Sequence, residues 1–405
     1  MQTRTITTTA ELEQFCASFG DEQFITVDTE FIRERTYFPQ LCLMQVATSK
    51  EAVAIDPMSG EINLASLYAA FADTRLLKVF HAAKQDIEIF VHDSGHVPTP
   101  MYDTQIAAMV CGFGESVSYE NLVRELVGAS LDKASRFTDW AKRPLSDRQL
   151  AYALDDVIHL RVVYETLRAQ IEEEGRADWI AQEMAAMADL TQYQVDTGRC
   201  WMRLKAKTRS SEVLNLLRAA AAWREEAAQR RDLPRQRVLK DDWVVQVATQ
   251  RPKTVEDLHE VRGITGQLSK DAMASLVEAL NAARDVPREQ WPSADERDKP
   301  LPAAQEACLD QLKLLLRQRC EDTHLVPRLV VAKDELEAIV RGKLPFAQSH
   351  IAQGWRFEVF GRQAEALLNG QLTARVAAHR GGYGLIWAAG VVPETAPGAA
   401  DSSAA

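Results

Sequence analysis

Three apolar, strand-like runs crowd into one short stretch of this chain: Phe24–Asp28, Leu41–Thr48 and Glu51–Asp56. The short spacings between them suit an antiparallel meander, because parallel pairing needs a long crossover. After Asp56 the pattern changes to helices alternating with strands. Leu76–His81 reads as a strand, and Gln85 to His92 as the helix after it, stopped near Gly95. Further helices are expected around Thr104–Cys111, Tyr119–Val127 and Asp147–Glu172. Ahead of the meander, Thr8 with Glu11 forms a capping box for a helix whose Leu12, Phe15 and Phe19 share a face, ending at Gly20. A mixed sheet covered by helices is the α/β solution to this order of elements.

From about Leu204 onward no strand pattern is found, and the chain is expected to be helical throughout. At 405 residues it is too long for one ordinary core, so two or three domains are expected. The segment 287–302 holds Pro287, Pro292, Pro300 and Pro302 among charged residues and reads as a linker. A repeat lies on either side of it. The block from Leu233 through Pro234, Arg235 and Val238 to Lys240 and Asp241 resembles the block from Val326 through Pro327, Arg328 and Val331 to Lys333 and Asp334, at an offset of about 93 residues. Such a shared offset predicts a duplicated helical domain. The Ala/Pro/Gly/Ser-rich end, 390–405, is expected to be disordered.

Composition narrows the function classes. Hydrophobic content of 46% and charged content of 26% are ordinary for a soluble globular protein. No secretory signal is visible at Met1–Thr9, and no apolar run is long enough to span a bilayer, so no membrane association is expected. The six cysteines are scattered without a CxxC pair, which reads as free thiols in a reducing, cytoplasmic setting. A net charge of −11 does not exclude a nucleic-acid partner, because phosphate contacts depend on local basic patches.

Three short motifs carry chemistry. Asp28-Thr29-Glu30 ends the apolar strand, and residues two apart on a strand face one side. Asp86 falls in the first turn of the helix after the Leu76–His81 strand, where a carboxylate also complements the helix N-terminus. In Tyr152-Ala153-Leu154-Asp155-Asp156, Tyr152 and Asp156 are four apart and share a helix face, while Asp155 points elsewhere. Each motif alone is matched by a bland alternative: a solvated strand end, a helix N-terminal acid, a half-exposed Tyr–Asp pair. Together they point to one chemistry. Four carboxylates at one place repel unless cations hold them. All-oxygen donors suit Mg2+ or Mn2+, and a pair of such ions can clamp an in-line phosphoryl displacement. Phosphodiester hydrolysis is the reaction this set predicts.

The order and neighbours of these motifs resemble the DEDD exonucleases of the tyrosine subgroup, and within them the ribonuclease D group. The resemblance rests on Val27-Asp28-Thr29-Glu30-Phe31, Phe38-Pro39-Gln40-Leu41-Cys42-Leu43-Met44-Gln45, Asp103-Thr104-Gln105-Ile106-Ala107-Ala108, Leu131-Asp132-Lys133 and Thr138-Asp139-Trp140 through Arg143-Pro144-Leu145. The helical remainder resembles the HRDC-type modules of that group, through Trp223-Arg224, Arg230-Arg231-Asp232-Leu233-Pro234-Arg235 and Val261-Arg262-Gly263-Ile264, and more distantly Gly354-Trp355-Arg356 with Glu358. The organisation then implied is an RNase H-like exonuclease domain at 1–175, a first HRDC domain at 206–286, a linker at 287–302 and a divergent second module at 303–372.

The resemblance also implies roles. Asp28, Glu30 and Asp156 hold the cation that activates water, Asp28 bridges to a second cation supported by Asp86, and Tyr152 binds the nucleophilic water. Of the acidic doublet, family spacing and helical geometry both choose Asp156. Phe31 either contacts the terminal base or sugar or is a core phenylalanine; His81 either lines the pocket or is a satisfied structural histidine. Asp103 is expected outside the metal shell. Arg203, Lys205, Lys207 and Arg209, followed by Arg230, Arg231, Arg235, Arg237 and Lys240, are either RNA-phosphate contacts or a solvated face balanced by Glu225, Glu226 and Asp241. The implied activity is 3′→5′ exoribonuclease action on tRNA precursors and other structured RNAs, releasing nucleoside 5′-monophosphates. The competitors are a DNA 3′→5′ exonuclease on the same site and a catalytically silent RNA-binding protein. The intact five-residue set argues against the second. The sequence carries no sign of the oligomeric state.

Overall fold

The computed structural model of the chain describes residues 1–60, 62–131, 138–261, 263–264, 266–293, 300–332, 334–379 and 382–390. These fall into two units. The first comprises Met1–Thr104, Tyr119–Thr166 and Met184–Lys299; the second comprises Gln105–Ser118, Leu167–Glu183 and the chain from Pro300 onward.

The first unit is built on a six-stranded sheet of β1 (Gln2–Ile6), β2 (Phe24–Ile32), β3 (Gln40–Ala47), β4 (Glu51–Ile55), β5 (Leu77–Phe80) and β6 (Met101–Asp103), in the order β1-β4-β3-β2-β5-β6. The expected meander is present, β2–β3 and β3–β4 being antiparallel. The β2–β5, β5–β6 and β1–β4 pairs are parallel. Strand β1 was not foreseen. Its Gln-Thr-Arg-Thr stretch is polar, and only Ile6 is buried in the core.

Side-chain alternation assigns the two faces of this sheet. Ile25, Val27, Met44, Val46, Val53 and Ile55 point into one core with Leu12 and Phe15 of α1 (Thr9–Ala17), Phe71 of α2 (Ala65–Ala72) and Phe90 of α3 (Lys84–Ser94). Leu43, Ala47, Ala52 and Ala54 point the other way, against Ala153, Leu154 and Val157. Those last residues belong to α6 (Asp147–Glu173), which follows α4 (Thr104–Val110) and α5 (Tyr119–Leu122). With both faces covered, β3 and β4 read as nearly continuous apolar runs. The capping box at Thr8 and Glu11 forms as expected.

After α7 (Ala177–Met187) come the helices of the first module: α8 (Ser211–Arg231), α9 (Arg235–Val238), α10 (Asp241–Gln250), α11 (Val255–His259) and α12 (Lys270–Asp285). Their core of Leu214, Leu217, Ala221, Val244, Val247 and Leu276 also takes in Tyr37, from the loop between β2 and β3. In the second unit, α13 (Ala303–Thr323) and α14 (Pro327–Val330) repeat the local geometry of α8 and α9. Both long helices have 21 residues and end on a left-handed cap, Asp232 in one and His324 in the other. The structural correspondence pairs Pro234 with Val326 as the residue preceding the short helix. It is one residue out of step with the sequence match, which pairs the prolines.

The expectation of helix throughout the C-terminal part is corrected by a hairpin of β7 (Leu372–His379) and β8 (Gly382–Ala389). Residues 294–299 of the expected linker, and the expected disordered tail from 391, lie outside the described residues, as do Asp132, Lys133 and Arg262 of the motifs above. Among the described residues, no helix is long and apolar enough to cross a membrane, and the six cysteines are free thiols.

Candidate active site

The strand parity that separates the two cores also aims the first motif. Thr26 lies on the α6 face of β2, its hydroxyl donating to the Val157 carbonyl at 2.7 Å. Asp28 and Glu30 continue that parity toward the helix that carries Tyr152 and Asp156. Asp156 is buried, at 8% exposure, while Asp155 is exposed, so burial makes the same choice as helical spacing. Thr29 points to the opposite face, where its hydroxyl donates to an oxygen of Asp86.

Parallel pairing brings Asp86 to the same end of the sheet. β2 and β5 run in register from Phe24↔Leu77 to Thr26↔Val79, so Asp28 projects beyond the paired stretch toward the turn into α3. That turn is strained: Ala82 has φ 58°, a left-handed conformation costly for an L-residue. Asp103 holds it, its two carboxylate oxygens accepting from the Ala82 and Ala83 N–H groups at 3.1 and 2.8 Å. Asp103 therefore supports this turn. His81 is likewise engaged. The Thr104 hydroxyl donates to the Phe80 carbonyl at 3.0 Å, so its oxygen accepts from His81 Nδ1–H, also at 3.0 Å.

Burial lifts the Asp28 carboxyl to about 7, although the residue keeps some accessible surface. Burial, and then the nearby Asp28 charge, raises Asp86 well above the carboxylate range. These two acids resist ionising side by side, the condition a hard divalent cation relieves. Among the described residues, no group of three acidic, histidine or cysteine side chains is gathered as a ready metal cage. The Asp28–Asp86 pair is thus the nucleus to which Glu30 and Asp156 would add.

Three residues near the site were not singled out from the sequence. Tyr119 donates its hydroxyl to the Asp156 backbone carbonyl and packs its ring 5.3 Å from His81. Burial and the charges of Asp156 and Asp28 hold its hydroxyl far above the phenol range. Gln45 is fully buried directly across the ladder from Asp28, on the α6 face, and neither end of its amide has a hydrogen-bond partner among the described residues. Thr29 is the third. Gln45 and Thr29 lay within quoted motifs without being assigned a role, and Tyr119 carries no signal a single sequence could supply.

Of the expected substrate contacts, Phe31 packs partly buried against the α1–α3 core. Arg230 and Arg231 are exposed at the end of α8. Arg235 forms a two-pronged ion pair with Glu225, the balancing carboxylate of the alternative reading, and donates to the Tyr37 hydroxyl at 3.0 Å; Glu225 is buried, so the pair is an internal clamp and not a solvated face. Arg203, Lys205, Lys207 and Arg209 are exposed, alternating with buried Leu204 and Ala206.

A family model described as 3'-5' exonuclease matches residues 3–172, and an HRDC domain model matches residues 213–280. The ribonuclease D of Jannaschia sp. is 45% identical over 91% of this chain and 96% of its own length. That of Gluconacetobacter diazotrophicus is 42% identical over 91% and 93%. The crystal structure of Escherichia coli RNase D, an exoribonuclease involved in structured RNA processing, superposes with a TM-score of 0.76 at 27% identity, covering 91% of this chain and 99% of that one. The expected architecture, an RNase H-like mixed-sheet domain followed by a helical region with an HRDC domain, is the one found.

Proposed function

The chain belongs to the ribonuclease D family of 3′→5′ exoribonucleases, and from that premise we propose how its own residues carry the reaction. Asp28, Glu30, Asp86 and Asp156 hold two divalent cations, Mg2+ or Mn2+, and Tyr152 orients the attacking water. The observation that carries this reading is the parity of β2, which turns Asp28 and Glu30 toward α6 while Thr29 ties Asp86 to the same strand end. Divalent-metal dependence is a property of the exonuclease family. When bound, the cations supply positive charge against the attacking and leaving oxygens.

The protein's part is positional. Tyr152 hydrogen-bonds the water that attacks the last phosphodiester; the bond to the preceding 3′ oxygen breaks, and a nucleoside 5′-monophosphate leaves. Tyr119, bonded to the Asp156 carbonyl, holds that turn of α6 beside the strand. Thr29 orients Asp86.

By extension from the E. coli enzyme's work on structured RNA, tRNA precursors and other structured RNAs with 3′ tails are the substrates, in the cytoplasm. The exposed Arg230 and Arg231 grip the body of such an RNA. Residues 303–372 act as a divergent second module, a reading supported by the matched α8–α9 and α13–α14 geometry. The test is a 5′-labelled RNA with a short single-stranded 3′ tail, incubated with Mg2+, with EDTA, and with Asp28→Asn protein. A metal-dependent ladder shortening from the 3′ end and lost in the variant is expected. Equal shortening by the variant would remove Asp28 from the mechanism.

A further inference from the structure

Where the β2–β3 loop meets the first helical module lies a polar cavity of about 420 Å3, a volume typical of ligand sites. Its floor is buried: Tyr37, Leu204, Arg224 and Glu225. Its rim is exposed: Arg33, Arg203, Gln236 and Asp241. We propose that this cavity is a phosphate subsite for the RNA strand, receiving a phosphodiester upstream of the one being cleaved. The proposal rests on the exoribonuclease reading and adds a place for the strand to be held.

The carboxylates of the cavity are already neutralised. Glu225 is engaged by Arg235 and Tyr37, and Asp241 by Arg224 at 2.6 Å. Among the described residues Arg33 pairs with half-buried Glu88 at 2.7 Å, and Arg33 itself is 43% exposed, so the pair is solvent-screened and a better anion displaces it at modest cost. Arg203 stands on the rim as a further cation. The lining therefore carries surplus positive charge.

Arg224 is built into the cavity wall. It is 5% exposed, and one of its terminal nitrogens donates to the Leu239 carbonyl and to Asp241, yet its Nε–H has no hydrogen-bond partner among the described residues. The Nε–H itself is sealed from solvent, and what Arg224 gives the cavity is a positive charge fixed in its wall. Guanidinium forks fit carboxylate and phosphate oxygens alike, and on an RNA strand the group they meet is a phosphate. Distance fits as well. Arg33 follows Glu30 by three residues, a chain reach of at most about 10 Å, so the first few nucleotides behind the scissile bond lie within range.

The test walks single neutral methylphosphonate linkages along a short oligoribonucleotide and measures KM and kcat for release of the 3′ nucleotide in Mg2+. At one upstream linkage, neutralisation should raise KM about fivefold to tenfold in wild-type protein with little change in kcat. The same linkage should have no further effect in Arg203→Gln, because the charge pair is already broken. Arg224→Lys, checked for folding by circular dichroism, should mask the same linkage; if it does not fold, Arg203→Gln and Arg33→Gln carry the test. If no linkage matters, or if each one matters equally in wild type and variants, the subsite is overturned. Competitive inhibition by a nucleoside 5′-monophosphate, relieved by Arg203→Gln while the linkages stay uncoupled, would reassign the cavity to the released product. Failure of wild-type protein to shorten the unmodified oligoribonucleotide in Mg2+ would count against the exoribonuclease reading, whereas shortening that no upstream linkage affects would count against this subsite alone.

Discussion

Gln45 faces Asp28 across the β2–β3 ladder, fully buried, with both ends of its amide lacking a partner among the described residues. An unmet buried polar group costs about 1–3 kcal/mol, so a core keeps one where it serves the chemistry beside it. Replacing Gln45 by methionine, of similar length and no polarity, should raise stability by about 1 kcal/mol, or about 2–4 °C in Tm. The same change should lower kcat by about tenfold or more, because the amide dipole across the ladder from Asp28 is lost. Thermal unfolding and single-turnover kinetics check the two halves. A variant with unchanged Tm and unchanged rate would show that the amide is merely tolerated.

The Thr29 hydroxyl donates to Asp86 from the opposite face of the strand that carries Asp28 and Glu30. Valine keeps the shape of threonine and removes this bond alone. Groups that orient a metal-binding carboxylate are typically worth about 10–100-fold in metal affinity or activity. Thr29→Val should therefore shift the Mg2+ concentration for half-maximal rate upward by about that factor, with a near-native Tm. A Mg2+ titration that superposes on wild type would leave Asp86 without need of Thr29.

What could be read from the sequence was what periodicity encodes. The two-residue spacing of Asp28 and Glu30 and the four-residue spacing of Tyr152 and Asp156 each define a face, and the structure turns those faces toward the same space. Thr29, Gln45 and Tyr119 were hidden because their importance comes from partners 57 residues away, across a ladder, and 37 residues away, respectively. Glu225 was legible as a balancing charge for Arg235, but nothing local reveals that this carboxylate, ten residues earlier, is buried and makes the pair an internal clamp. The hairpin of β7 and β8 was missed because its first strand, Leu-Thr-Ala-Arg-Val-Ala-Ala-His, is rich in alanine, which is depleted in strands. It pairs with no other strand of the fold among the described residues.

The raised carboxyls make metal-free protein sensitive to pH in a definite direction. Asp28 is lifted to about 7 by burial, so between about pH 4 and 7 the folded state binds a proton that the unfolded state has lost. Stability must then fall as pH rises through that window. Asp86, raised by burial and by Asp28, acts in the same sense. A divalent cation favours the ionised forms and should reverse the loss, releasing protons as it binds. Thermal unfolding in EDTA from pH 4.5 to 7.5, set against the same series in Mg2+, tests this. Asp28→Asn should flatten the EDTA curve. A wild-type curve that rises through the window in EDTA would contradict the burial of these carboxyls.

The clamp between Tyr37 and the first helical module should titrate in the opposite sense. Burial pushes Glu225 upward, but the hydrogen bonds from Arg235 and Tyr37 outweigh it, and the carboxyl ends below its usual range. A lowered folded value means that its stabilisation is present above the unfolded pKa of about 4.3 and is lost as pH falls through the folded value. The loop it holds continues β2, and Asp232 accepts from the Tyr37 and Phe38 N–H groups at 3.0 Å, so the module braces the strand that carries Asp28. Glu225→Gln should cost about 1–3 kcal/mol at pH 7, a figure kept modest because the Arg235 side chain is 34% exposed. The gap between variant and wild type should narrow as pH falls below about 4. Denaturant unfolding at pH 7 and at pH 3.5 measures it. A gap of the same size at both values would mean that the Glu225 charge does no work in the clamp and that only its shape is used.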